Sequence, residues 1–108
     1  MKLSDFIEKL NLRVLTEADS TKEVTGCYSG DLLSWVMSRA KDGDAWLTVM
    51  GNVNAVAVAV LTDCACIILT ENAPLDDAAK IKAEAQGVCF LQSDKNAYEL
   101  SVEISEIL

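Results

Sequence analysis

Four cysteines are the most reactive side chains in this chain, and their spacing defines what they can do. Cys64 and Cys66 form a single C-x-C pair, with no second pair at the spacing of a zinc or iron–sulfur site. Three of the four lie in or beside apolar runs, namely Cys64, Cys66 and Cys89. We therefore predict reduced cysteines that pack as small hydrophobic residues. The alternative, a metal or cluster site, would require their loops to converge.

Paired carboxylates are the second set of residues that could do chemistry. Each of the three pairs has an explanation that requires no catalytic or metal-binding role. In order along the chain, the pairs lie in a predicted turn, in the first turn of a helix and on a solvated helix face. The pairs are Asp42 and Asp44, Asp76 and Asp77, and Glu103 and Glu106. We predict no metal site and no catalytic residue among them.

Missing residues exclude several activities outright. The 108 residues include no histidine, which excludes Ser-His-Asp and Cys-His catalysis and a pH switch driven by imidazole. The sequence contains neither a glycine-rich loop with the lysine that cradles nucleotide phosphates nor the dinucleotide-binding fingerprint. We therefore expect a protein that is not an enzyme and holds no cofactor.

Charge and hydropathy set the expected compartment and partners. Lys and Arg number 9 against 17 Asp and Glu, which gives a net charge of −8. This balance argues against binding to nucleic acid or to an anionic membrane. Asp5 and Glu8 interrupt the N-terminal segment where a signal peptide would need an apolar run. Polar residues likewise interrupt the most apolar stretch, 45–69, so we expect no membrane span and a cytoplasmic protein.

Strand-like and helix-like segments alternate along the chain, which predicts one α/β domain over residues 1–108. We expect a mainly parallel sheet with crossover helices on its faces and short extra strands near the N-terminus. Strands are predicted over 13–16, 23–28, 45–50, 66–69 and 88–91. Helices are predicted over 5–10, 31–40, 54–61 and 74–86. A last helix is predicted to be capped by Ser93 or Asp94 and to end at Leu108. On the helix over 74–86, Ala78, Ile81 and Ala85 are predicted to face inward.

The segment 55–61 can be interpreted in two ways. Its alternating valines favour a strand. A strand here would form a hairpin with 66–69 across Thr62-Asp63, without the usual glycine turn. We prefer a helix over 54–61 that joins two parallel strands.

Such a helix would be apolar on all sides. One face carries positions 53, 56, 57, 60 and 61, and the other carries Ala55, Val58 and Ala59. A helix without a polar face is buried on two sides, and the sheet covers only one. We therefore predict a homodimer whose interface includes Ala55, Val58 and Ala59. Burial under the terminal helix or the N-terminal segment is the alternative.

Polar loops follow three of the predicted strands. The carboxyl ends of parallel strands meet at one edge of the sheet, where ligands bind, and each loop leads into a helix N-terminus. Because Glu71 and Asp94 add negative charge, we expect a neutral polar or cationic group to be preferred over a phosphate. The candidate ligand-binding residues are Gly51, Asn52, Asn54, Thr70, Asn72 and Ser93.

Several segments carry a resemblance to a known family. They are Gly30-Asp31-Leu32-Leu33, the run 43–48, the entry 23–31, and the spacing of the last three strand–helix units. Together they resemble a stand-alone DRTGG domain, a family related to the N-terminal domain of HPr kinase/phosphorylase and more distantly to that of Mur ligases. Where the family carries Gly-Asp-Arg this chain has Gly51-Asn52-Val53, and where it carries Leu-Thr-Gly-Gly this chain has Leu69-Thr70-Glu71-Asn72.

The resemblance implies an α/β fold, frequent homodimers and no catalytic activity. In larger proteins the domain accompanies CBS, phosphotransacetylase or pyrophosphatase domains and is regulatory. We therefore expect a non-catalytic regulatory or ligand-sensing homodimer that lacks the kinase domain of HPr kinase. Short stand-alone members resemble proteins found near iron-hydrogenase subunits, so the alternative is a protein–protein adaptor for such a redox enzyme.

Overall fold

Helices and strands alternate along the chain in the computed structural model, which describes residues 1–17, 19 and 21–108. The α/β prediction is confirmed. The helices are α1 (Leu3–Lys9), α2 (Leu33–Arg39), α3 (Val53–Thr62), α4 (Asp77–Gln86) and α5 (Ala97–Ile107). The strands are β1 (Arg13–Val14), β2 (Gly26–Ser29), β3 (Asp44–Thr48), β4 (Cys66–Leu69) and β5 (Phe90–Gln92).

The strands form one sheet in the order β1-β5-β4-β3-β2. Strands β2 to β5 are parallel to one another, and β1 pairs antiparallel with β5. The short N-terminal strands predicted from the sequence therefore form the two edges of the sheet. Because β2 to β5 are parallel, the loops that follow them all leave from the same edge, as the ligand prediction requires.

Successive side chains of the central strands enter two separate cores. Leu47 of β3 and Ile68 of β4 pack under α1 and α5. Trp46 and Ile67, one residue earlier on each strand, pack under α2, α3 and α4. Because the side chains of a strand alternate between faces, both faces of the sheet are apolar, as is typical of parallel sheets covered on two sides.

The segment 55–61 lies in a helix, which confirms the preferred interpretation. Asn52 caps helix α3 with its side chain, which accepts a hydrogen bond from the backbone N–H of Ala55 at 3.0 Å. Asp63 ends the helix with a left-handed backbone (φ 56°). The helix packs between α2 and α4 on one face of the sheet.

The predicted dimer residues lie on the inner face of α3. Ala55, Val58 and Ala59 are only 0%, 5% and 4% exposed, because α2, α4 and the sheet cover them. Their assignment to an interface between two copies is therefore wrong. The outer face instead exposes Val60 (49%) and Leu61 (67%).

Helix α4 is rotated by about one residue relative to the prediction. Ala79 and Ala83 are buried, whereas Ile81 is 70% exposed and Ala78 and Ala85 are exposed as well. The predicted inward placement of Ala78, Ile81 and Ala85 is therefore wrong. Alanines at 78, 79, 83 and 85 allow either face to pack, and the sequence does not decide between them. Gly87 ends α4 with φ 70°, as expected of a left-handed cap.

The last helix begins later than predicted. Asn96, and neither Ser93 nor Asp94, caps α5, in a reciprocal capping box with Glu99. Within the described part of the chain, no helix has both the length and the apolar content to cross a membrane.

Candidate functional site

Three loops meet at the edge of the sheet where the parallel strands end, called here the carboxyl edge. The backbone N–H of Glu71 donates to the carbonyl of Lys95, and that of Asn72 to the carbonyl of Ser93, both at 2.9 Å. The N–H of Asp76 donates to the carbonyl of Gly51 at 2.8 Å. The structure thus joins the loops after β3, β4 and β5, which the sequence predicted to converge.

Gly51 is buried where the loop after β3 meets the segment before α4. A Cβ at this position would lie 2.0 Å from the carbonyl oxygen of Pro74 and 3.0 Å from the Cα of Leu75. Both atoms belong to the backbone, so the clash has no simple relief. Gly51 therefore contributes to the carboxyl edge by letting two loops touch.

Two predicted ligand residues use their side chains to satisfy nearby backbone groups. Asn52 caps α3, and Ser93 Oγ accepts a hydrogen bond from the N–H of Lys95 at 3.1 Å. Ser93 and Thr70 are both buried. The side chains of Asn52 and Ser93 thus shape the loops from within, and Thr70 does so through its backbone, whose carbonyl accepts from the N–H of Ala73 at 3.0 Å.

Asn54 and Asn72 are the predicted residues whose side chains are exposed. Asn72 and Glu71 both adopt left-handed backbone conformations (φ 54° and 55°), which turn the chain sharply after β4. Asn72 Oδ1 accepts a hydrogen bond from Arg13 Nη2 of β1. Arg13 is absent from the predicted site because 59 residues separate it from Asn72.

Asp31 organises the start of the loop after β3. One oxygen, Oδ1, accepts hydrogen bonds from Thr48 Oγ1 at 2.8 Å and from the N–H of Val49 at 2.9 Å. Thr48 Oγ1 in turn accepts one from the N–H of Met50 at 3.2 Å. Sequence analysis missed this role, although Asp31 belongs to the Gly30-Asp31-Leu32-Leu33 segment.

A concave region lies at the opposite end of β3, beside the edge strand β2. This cavity has a volume of about 430 Å³, and we call it the β2–β3 cavity. Its charged lining residues are Arg39, Lys41, Asp42 and Asp44, and Cys27 and Tyr28 of β2 line it as well. Sequence analysis assigned Asp42 and Asp44 to turn chemistry only, and the structure places both at a cavity.

The cysteines are free, and their surroundings oppose ionisation. Burial raises the pKa of Cys89 to about 12 and places that of Cys66 well above its usual value. Burial, and then the nearby Asp44 carboxylate, raise the pKa of Cys27 to about 11. Among the described residues, no three His, Cys, Asp or Glu side chains are grouped to hold a metal ion.

Comparison with known proteins supplies a match in fold. No protein family model matches the chain, and no curated protein matches it. It is similar to the crystal structure of the CBS and DRTGG domains of the regulatory region of Clostridium perfringens pyrophosphatase, complexed with its activator diadenosine tetraphosphate. The TM-score is 0.79 at 12% sequence identity, over 99% of this chain and 47% of that chain. At this identity the likeness is one of fold.

Proposed function

We propose that this chain is a non-catalytic regulatory domain of the DRTGG type that senses a small polar ligand. The observation that carries the proposal is the fold likeness over 99% of the chain to part of a regulatory region that binds an activator. The motif-level resemblance adds an ancestry shared with the N-terminal domain of HPr kinase/phosphorylase.

The carboxyl edge is the proposed ligand site. Asn54 and Asn72 offer exposed amide groups there, next to the N-terminus of α3, where the first backbone N–H groups lack partners within the helix. Gly51, Asn52 and Ser93, together with the backbone of Thr70, support the site by fixing the loops that carry these two asparagines.

The charges around this edge favour a neutral or cationic ligand. Arg13 donates hydrogen bonds to Asn72 and Gln92, and Lys95 pairs with Glu103 at 2.6 Å. These two cations are therefore engaged within the chain, while Glu71 and Asp94 are exposed. Arg13 keeps its charge because its partners are neutral, but Glu71, Asp94 and Glu103 together outnumber the two cations. A phosphate would therefore meet net negative charge, so we propose that a nucleoside binds better than its phosphates.

Thermal unfolding and calorimetry test this proposal with three probes: adenosine, spermidine and diadenosine tetraphosphate. We expect adenosine or spermidine to stabilise the chain by about 2.7 kcal/mol at 100 times its Kd. Asn54→Ala should weaken that binding, and Glu84→Ala, on the exposed side of α4, should leave it unchanged. A preference for the tetraphosphate would contradict the electrostatic argument, and no stabilisation by any probe would contradict the ligand site.

We further propose a homodimer that buries the outer face of α3. Val60 and Leu61 are exposed there. A groove of about 260 Å³ between the two helices is lined by Ala57 and Val60. Exposed apolar side chains that are grouped in this way are typical of interaction surfaces.

A protein–protein adaptor for a redox enzyme is the second candidate function. Helix α2 and its N-cap expose Leu32, Trp35 and Met37, a second group of large apolar side chains. Capture experiments with a purified iron-hydrogenase subunit test it: Trp35→Ser should abolish binding, whereas Tyr98→Ser, at an even more exposed aromatic on α5, should not. Equal capture by both variants would exclude binding through α2.

A further inference from the structure

Asp44 is a buried carboxylate with an incomplete set of partners. It begins β3 and is 8% exposed, and its Oδ2 accepts a hydrogen bond from the N–H of Lys41 at 2.8 Å. Among the described residues, Oδ1 accepts no hydrogen bond, and Asp44 takes part in none of the ion pairs. Buried carboxylates are ordinarily paired, because removing a charge from water without compensation is costly.

The unused oxygen is open to the β2–β3 cavity. Every fully buried side-chain nitrogen or oxygen of the described residues has a hydrogen-bond partner, so Oδ1 is not sealed inside the chain. Gly26 is paired with Asp44 across the two strands, and a Cβ on Gly26 would lie 2.6 Å from Oδ1. The glycine therefore leaves the oxygen uncovered on the side that lines the cavity.

Cationic groups line the same cavity. The guanidinium of Arg39 stacks over the ring of Trp35 at 3.9 Å, and its Nη1 donates to Ser38 Oγ at 3.0 Å. These contacts hold the group in place and leave other N–H donors unused. Within the described part of the chain, neither Arg39 nor Lys41 belongs to an ion pair.

We infer that the β2–β3 cavity is a binding site for a small, net-neutral zwitterion, such as a free α-amino acid. Its ammonium group would donate to Asp44 Oδ1, and its carboxylate would pair with the fork of Arg39. Two cationic and two anionic side chains line the cavity, so a ligand with one charge of each sign matches it and an ion of a single sign does not. The volume of about 430 Å³ falls within the range of small-molecule pockets.

This site is separate from the carboxyl edge, since Asp44 and Thr48 lie at opposite ends of β3. The two proposals can therefore fail independently. Amide signals of residues 25–28 and 41–44 report on the cavity, and those of residues 51–54 and 70–72 report on the carboxyl edge.

A ¹H–¹⁵N NMR titration of the full chain tests the inference with L-alanine, L-glutamine and L-leucine. We expect at least one to give saturable shifts at residues 25–28 and 41–44 with a Kd below about 10 mM. Asp44→Asn keeps the shape of the side chain, and an amide oxygen can still accept from Lys41. That variant should weaken binding by about tenfold or more, the loss expected for one charge-assisted hydrogen bond.

Control variants and a control ligand distinguish specific binding in the β2–β3 cavity from nonspecific association of amino acids with the surface. Arg39→Gln, on the surface, should weaken binding as Asp44→Asn does, and Asp76→Asn should not, because Asp76 lies outside the cavity. Glycine betaine has no N–H to donate and should bind weakly. The inference is overturned if no amino acid gives saturable shifts, if both cavity variants bind like wild type, or if betaine binds as well as the amino acids.

Discussion

The two ends of strand β3 use polar residues in different ways. At the carboxyl edge, Asn52 and Ser93 satisfy backbone N–H groups, and the cations Arg13 and Lys95 are engaged with other side chains. At the amino end, Asp44 keeps one carboxylate oxygen without a hydrogen bond from the described residues. Polar residues after a strand therefore do not by themselves indicate ligand contacts, because the loops that they belong to need hydrogen bonds of their own.

Substitutions on helix α3 have the largest expected effects on folding and on assembly. Its inner face is buried within the chain, and its outer face is buried only in the proposed dimer. Val58→Asp would place a charge among the buried side chains of the α2–α4 core and should unfold the chain, at a cost of several kcal/mol. Val60→Asp, at an exposed position, should keep the fold and disrupt the proposed dimer.

Light scattering coupled to size exclusion measures both outcomes on α3. Wild type at tens of micromolar should have about twice the chain mass of 11.7 kDa, and Val60→Asp should have the mass of one chain. Circular dichroism confirms that Val60→Asp remains folded. A monomeric wild type would exclude the dimer, and a folded Val58→Asp would contradict the packing of α3.

Substituting one glycine at each end of β3 compares how tightly the two ends are packed. Gly51→Ala would force a Cβ against backbone atoms of Pro74 and Leu75, and we expect a loss of about 2–3 kcal/mol in the free energy of unfolding. Gly26→Ala meets only the Asp44 side chain, which can rotate, so its loss should be about 1 kcal/mol or less. Urea unfolding measures both, and equal losses would contradict the contrast between a packed edge and an open cavity.

The asparagines of the carboxyl edge differ in a smaller way. Asn52→Ala removes the cap of α3 and should cost about 1 kcal/mol of stability. Asn54→Ala, at an exposed position of the same helix, should change stability by less than about 0.5 kcal/mol. The same urea experiments decide this, and an Asn54 variant as destabilised as the Asn52 variant would assign Asn54 a structural role.

The smallest expected effect is a change in the alkylation rate of the Cys27 thiol, which depends on the charge of Asp44. Burial and the Asp44 carboxylate raise its pKa to about 11, so little reactive thiolate exists near neutral pH and alkylation should accelerate as the pH rises. Asp44→Asn removes one of the two causes and should lower the pKa, so alkylation at pH 8 should be faster. An unchanged rate would mean that Asp44 carries no charge that Cys27 senses.

Local patterns predicted most of the architecture. The alternation of apolar strands and helices gave the parallel α/β sheet, and the absence of a hairpin turn before 66–69 correctly favoured a helix for α3. Contacts between residues that are far apart in the sequence could not be predicted in this way. The pairing of Arg13 with Asn72 depends on β1 lying beside β5, and no local pattern encodes that strand order.

Side-chain direction explains the remaining errors. Ala55, Val58 and Ala59 have the composition of a helix seam, but whether that seam meets a second copy or the chain's own helices depends on where α2 and α4 pack. The strand pattern predicted that the loops carrying the proposed ligand residues lie at one edge of the sheet, and they do. Their side chains could not be assigned to solvent or to internal caps, because that choice depends on loop contacts such as the one between Gly51 and Asp76.

The proposal of a ligand-sensing domain is tested most directly by a ¹H–¹⁵N titration of the wild-type chain with adenosine and with spermidine. The account predicts that at least one gives saturable shifts of the amides of Asn52, Asn54 and Asn72, and that diadenosine tetraphosphate binds more weakly. Shifts confined to the opposite end of β3, or no saturable shift with either probe, would contradict a ligand site at the carboxyl edge.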